Sequence, residues 1–220
     1  MKGRKPIAGA CPLNTRVYNN QLRRQRQAEL KARIAAATAE LHAAKGGIAT
    51  TYADIARHAG VSLPTVYKHF PTQDELFQGC TGHVISQAPE MPVKRILAAP
   101  DLAAAARLLV NAMEKQHLHF EPWLSWREDR VVPFLAGMSA GIRRAHAELV
   151  AEVFKTHGVR RGLREAVAAW ESMLCFDFWH RLVHGHRLSR RAARRVLVQG
   201  LLALVEPAPD SHASSPRRTP

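Results

Sequence analysis

The stretch from Thr51 to Phe70 constrains this chain more than any other, because each small, capping and apolar residue stands where two short helices crossing at a tight turn need it. Ile55 and Ala59 face inward from the first helix, and Ala56 is the small residue at the crossing. Gly60 supplies the backbone freedom of the turn, and Val61 and Val66 pin the second helix. Ser62 can cap that second helix, with Pro64 in its first turn, where a missing N–H costs nothing. The pattern predicts helices over Tyr52–His58 and Leu63–Phe70. A third, Gln73–Gln87, is opened by the Thr72-x-x-Glu75 capping box.

Two helices so arranged form a helix-turn-helix, whose second helix enters the major groove of DNA by its N-terminal end. Ser62, Leu63, Pro64, Thr65, Lys68 and His69 are therefore the candidate contacts to bases and adjacent phosphates, with Leu63 and Pro64 suited only to a thymine methyl. Thr50, Thr51 and Tyr52 begin the preceding helix, where hydroxyls, exposed N–H groups and the positive dipole end suit a phosphate. Tyr67 is a second phosphate clamp, whereas Phe70 reads as a core aromatic. Charge points the same way. The 220 residues carry a formal charge of +14, and residues 1–70 hold 12 Lys/Arg against 3 acids while the rest hold 20 against 15. Such an excess favours a polyanionic partner.

Residues 1–21 read as a flexible basic arm, in which Lys2, Arg4, Lys5 and Arg16, continued by Arg23 and Arg24, can reach the minor groove or flanking phosphates. From Leu22 to Lys45 the spacing of Leu30, Ile34, Ala37 and Leu41 predicts an amphipathic helix ended by Gly46-Gly47. Pro89, Pro92 and Pro100 mark a boundary. Beyond them Asp101–Phe120, Trp123–Arg130, Met138–His157, Arg160–Val183 and Ser189–Val205 read as helices, and the tail 207–220 as disordered. The fold class is all-α: a helix-turn-helix domain with its connecting helix over 22–88, then a helical domain over 89–206.

The run Thr50-Thr51-Tyr52-Ala53-Asp54-Ile55-Ala56-Arg57-His58-Ala59-Gly60-Val61-Ser62-Leu63-Pro64-Thr65-Val66-Tyr67-Lys68-His69-Phe70 resembles the DNA-binding domain of the tetracycline-repressor (TetR) family, and the likeness continues to Asp74-Glu75-Leu76-Phe77. The resemblance implies an all-helical homodimer that binds operator DNA, represses, and lets go when a small ligand enters the C-terminal domain. Two positions depart from the family's habit. Pro64 stands where many members have Gly, and Gln73 where many have a phosphate-binding Lys, which weakens one expected contact. A regulator without a ligand, and a helical protein whose basic face is incidental, are the alternatives.

In the C-terminal half, the last two long helices suit a four-helix bundle across a two-fold axis. Leu163, Val167, Trp170, Leu174, Phe178 and Leu182 form the first one's stripe. Trp123, Trp126, Met138, Trp170, Met173 and Phe176 can line a ligand cavity, the other reading being ordinary core. Asp177, inside an apolar helix, is expected to be a buried carboxylate partnered by Arg181 or a ligand. His180, His184 and His186, like His117 and His119, are read as solvated groups, since a zinc site needs three or four converging ligands; neither metal nor cofactor is expected. No phosphate loop, nucleophile elbow or isolated carboxylate pair suggests catalysis. Cys11, Cys80 and Cys175 lack disulfide or metal spacing, and no apolar run approaches the ~20 residues of a membrane helix, so a reducing cytoplasm is the expected home.

Overall fold

The computed structural model of the chain describes residues 14–160 and 162–205, with side chains from residue 20 onward. Among these residues there are ten α-helices, one 3-10 turn and one π-helical turn, and no strand. They part into two compact units between Ile85 and Ser86. No described helix is long and apolar enough to cross a membrane.

The first unit contains α1 (Asn14–Lys45), α2 (Tyr52–Ala59), α3 (Leu63–His69) and α4 (Gln73–Ser86). Helix α1 begins at Asn14 rather than Leu22, so the latter part of the segment read as an arm is helical; between Pro12 and Gly46 the sequence has no breaker to stop it. Lys2, Arg4 and Lys5 lie outside the described residues, as do Cys11 and the tail 207–220. Ile34, Ala35 and Ala37 of α1 pack against Ile55, Ala56, Ala59, Val66, Phe70 and Leu76, and Ile34, Ile55 and Val66 are wholly buried. Full burial of a branched aliphatic side chain contributes about 1.5–3 kcal/mol, enough for a few such residues to hold so small a unit.

The second unit contains α5 (Val93–Leu97), α6 (Leu102–Leu124), α7 (Pro133–Thr156), α8 (Leu163–Leu174), α9 (Phe176–His180) and α10 (Arg190–Ala203). The carboxylate of Asp101 caps α6 by accepting the Ala104 N–H at 2.6 Å. The helix continues through Pro122 and stops at Leu124, so Trp123–Arg130 is not a separate helix; Glu128–Arg130 form the 3-10 turn. Helix α7 opens on Pro133 as its first residue, ahead of the expected Met138.

The largest departure is at Cys175, where a helix expected to run from Arg160 to Val183 is cut in two. Nε2–H of His117, from α6, donates to the Leu174 carbonyl at 2.9 Å. An uninterrupted helix would give that carbonyl the amide of Phe178. Instead Cys175 turns extended, with ψ 157°, and the chain restarts as α9 before loosening into the π turn Arg181–Gly185. The expected stripe fails accordingly. Trp170 and Leu174 are buried, but Leu163 and Phe178 are 40% and 37% exposed, and Trp179 takes over as the inward residue.

Trp170 ties three helices. Its ring meets Phe154 of α7 edge-on at 4.7 Å, and its indole N–H donates to the Leu201 carbonyl of α10 at 2.8 Å. Arg194 of α10 reaches the buried Glu114 of α6 at 2.6 Å.

His117 makes this core sensitive to acid. Burial, with His146 adding to it, pushes its imidazole down to about 4 against the opposing pull of the Leu174 hydrogen bond. Between that value and the ordinary histidine value near 6.5, the unfolded chain binds more protons than the folded one. Stability is therefore whole above about pH 6.5 and falls as the pH drops toward 4, by at most about 3 kcal/mol from this group. Urea unfolding across that range should show the loss, and His117→Gln should flatten it, leaving the smaller share of His146, also lowered by burial. An unchanged slope in the variant would refute the assignment.

Candidate nucleic-acid interface

Helix α2 starts with a reciprocal cap. The Thr51 hydroxyl accepts the Asp54 N–H at 3.1 Å, while the Asp54 carboxylate accepts the Thr51 N–H at 3.3 Å. Lys45 reaches the same carboxylate at 2.7 Å and Arg57 pairs with its other oxygen. Lys45 above all, then the Thr51 hydrogen bonds, hold the Asp54 carboxyl far below the usual carboxylate range. Asp54 is thus neutralised locally, whereas Glu75, in the first turn of α4, lies close enough to act on Tyr52.

Gly60 ends α2 in the left-handed region, φ 63° and ψ 42°, and α3 begins three residues later at Leu63. Ser62 caps α3, its hydroxyl accepting the Thr65 N–H at 3.3 Å and lying 2.7 Å from the Thr65 hydroxyl. Along α3 the inward residue is Val66, while Leu63, Pro64, Tyr67 and Lys68 are exposed and Thr65 and His69 half-buried. Burial first, then Lys68 and Lys31, keep the His69 imidazole below its usual range, so near neutrality it is uncharged and can donate or accept.

Thr51 is exposed beside Tyr52, but Thr50 is not: it is buried, with its hydroxyl donating to Gly46 at 2.6 Å and its amide to Gly47 at 3.2 Å. Thr50 shapes the loop between α1 and α2 rather than presenting a donor. Tyr52 and Tyr67 stack face to face, ring centroids 4.4 Å apart and 8° from parallel, a contact that the sequence reading missed. Tyr67 is 48% exposed, whereas the buried Tyr52 hydroxyl has no hydrogen-bond partner. These two rings, Thr51, Leu63 and Gln73 line a cleft of about 420 Å³ with His42, so the starts of α2, α3 and α4 converge on one concave site. Helix starts favour a negative group, and here the first turn of α4 also carries Asp74 and Glu75. Phe70, as expected, is core, at 1% exposure.

Of the residues expected around a ligand, Trp170 belongs to the packed core and Met173 approaches Gly200 of α10. Trp126 is 45% exposed, and Trp123 and Met138 are half-buried. Asp177 is a correction. Its side chain is 52% exposed and paired with Arg127, because the break at Cys175 leaves it in the first turn of a new helix, away from the core. The histidines are not uniformly solvated either, since His42 and His117 are buried.

Residues 34–80 match the family model for bacterial regulatory proteins of the tetR family. No curated protein sequence matches the chain. Among solved structures, one assigned to the tetR family of transcriptional regulators from Mesorhizobium loti is similar, with 22% identity, a TM-score of 0.59, and coverage of 81% of this chain and 96% of that one. NalD of Pseudomonas aeruginosa, the secondary repressor of the MexAB-OprM multidrug efflux pump, aligns with 19% identity, a TM-score of 0.60, and coverage of 80% and 96%.

The packing behind α3 is testable through two glycines of α4. A Cβ on Gly79 would collide with Cε1 of the buried Phe70 ring and come within 2.9 Å of Cζ, whereas one on Gly82 would meet nothing within 4 Å. Gly79→Ala should destabilise the chain by about 1–3 kcal/mol through overpacking. Gly82→Ala should stabilise it by about 0.5–1 kcal/mol through helix propensity. Denaturant unfolding of the two variants should move in opposite directions.

Proposed function

We propose that this chain, a member of the tetR family of bacterial regulatory proteins, is a dimeric repressor that holds a palindromic operator through α3 and releases it when a small molecule occupies the C-terminal unit. DNA-binding transcriptional regulation is the family's activity. The observation that supports this operator-binding mode best is the convergence of the α2, α3 and α4 starts beside the exposed face of α3. In this reading Thr51, Tyr67 and the first turn of α4 hold phosphate, and Ser62, Leu63, Pro64, Thr65, Lys68 and His69 meet the groove. Tyr52 acts through Tyr67 by stacking, and Thr50 through the loop it closes.

Dimerisation is supported by apolar surface on α10 and its C-cap, where Val196 and Leu204 are 41% and 48% exposed. A two-fold pair places two recognition helices about 34 Å apart, one turn of the duplex. The repressor sense follows the NalD comparison, and the effector reading follows the half-buried aromatic residues Trp123, Phe176 and Trp126's neighbourhood in the second unit. Sedimentation at micromolar concentration should give a dimer.

A mobility-shift titration on DNA upstream of the protein's own gene tests the whole reading. Binding should be sequence-specific and salt-sensitive, and Thr65→Ala and Tyr67→Ala should each weaken it by about 1–3 kcal/mol. Gln73→Lys should tighten binding and steepen the dependence of log affinity on log salt by about one unit, because it adds one cation at the cleft. Sequence-blind binding that survives both alanine changes would refute the proposal.

A further inference from the structure

In the second unit, the end of α6 and the segment after the Cys175 break bring Glu121, His180 and His184 together, with one carboxylate oxygen and two imidazole nitrogens all within 4.8 Å of one another. We propose that these three side chains form a binding site for a divalent transition-metal ion of the zinc type.

The donors fit that ion. Two imidazoles and one carboxylate, without thiolate, suit zinc, cobalt or nickel rather than copper(I), and are too rich in nitrogen for magnesium or calcium. Ligand atoms held at about 2.1 Å around a tetrahedral ion stand about 3.4 Å apart, and this set already lies within 4.8 Å. His184 Nε2 lies 2.6 Å from Glu121 Oε1, and the His180 and His184 rings lie face to face, 4.4 Å between centroids and 30° from parallel. A simple ion pair would use one histidine; the second imidazole, stacked on the first, brings another nitrogen to the same carboxylate.

The fold builds the pair. His180 ends α9 and His184 lies within the π turn Arg181–Gly185, and such turns recur at functional sites because they re-aim side chains out of α-helical register. The rear of the site is aromatic, with Phe176 5.2 Å from His180 and the buried Trp179 meeting His184 edge-on at 6.1 Å. Arg127 engages Asp177, so that cation is already paired and that carboxylate is withheld from the ligand set. His184 is 49% exposed, which gives an ion access from solvent and leaves a fourth position for water.

The test uses the full chain stripped of metal with a chelator, titrated with cobalt(II) by visible absorption and with zinc(II) by competition against a chromophoric chelator. One equivalent per chain should bind with a dissociation constant of about 1 µM or tighter, and cobalt should give d–d bands without a thiolate charge-transfer band. Glu121→Gln and His184→Ala, both at positions outside the core, should each weaken binding about tenfold or more and remove the zinc-induced rise in Tm, while His58→Ala in the first unit should not. Circular dichroism confirms that each variant is folded. Stoichiometric binding that persists in both site variants would overturn the proposal, as would the lack of any saturable binding by the folded chain. Neither result bears on operator affinity, so this site and the DNA reading fail separately.

Discussion

The exposed face of α3 hangs on one backbone turn. Gly60 takes a left-handed conformation while its N–H and that of Val61 return to the Arg57 and Ala56 carbonyls, at 3.3 and 2.9 Å. A side chain there would meet nothing within 4 Å, so what the position requires is backbone handedness, which costs an L-residue roughly 1–2 kcal/mol. With the turn closed, Ala56 lets α2 and α3 approach until Ile55 and Val66 are both fully buried. The direction of α3 then follows. Its capped N-terminus and its face from Leu63 to Lys68 point outward because Val66 has only one place to go.

The second unit is organised by bonds between residues far apart in sequence. His117 takes the Leu174 carbonyl and Trp170 donates to the Leu201 carbonyl, in both cases from a buried ring to backbone that a neighbouring helix exposes. The first of these cuts the helix at Cys175. That cut moves Trp179 into the core and Asp177 out of it, and it puts His180 at a helix end facing Glu121. Asp177 and Arg181 remain one helical turn apart, the Arg181 N–H bonding to the Asp177 carbonyl, but the Asp177 carboxylate pairs with Arg127 across the turn after α6. Neutral donors suit this role, since a charged group buried at the Leu174 carbonyl would have to be paired.

This difference explains what was legible beforehand. Helices α2, α3 and α4 start at the predicted residues because Thr51, Ser62 and Thr72 are local caps whose meaning needs no knowledge of tertiary structure. Phe70 was legible as core for a similar reason, being the last inward residue of a periodic run. Pro133 at the start of α7 was an available signal overlooked, because the segment around it lacks a clear apolar stripe; no residue from 133 to 149 is buried. The break at Cys175 was not available. No glycine or proline marks it, and its cause sits 57 residues away in sequence. At the interface, the donors of Thr50 point inward and Tyr52 serves as a stacking partner, distinctions that depend on side-chain direction and not on residue type.

Charge and contact are divided between different residues in this interface. The cleft where α2, α3 and α4 begin is lined by Thr51, Tyr52, Tyr67 and Gln73, and Asp54 beside it is cancelled by Lys45 and Arg57. In the proposed operator-binding mode, positioning there falls to neutral hydroxyls, amides and helix dipoles, which hold a phosphate in one geometry but release few counterions. The cations stand elsewhere, on the exposed Arg23, Arg24 and Arg26 of α1 and on Lys68. They act over a Debye length of about 8–10 Å and set the approach rather than the register. A net charge of +14 therefore overstates how many phosphates the proposed mode would grip at once, and in that mode the salt dependence of specific binding follows the few cations within contact distance of the duplex.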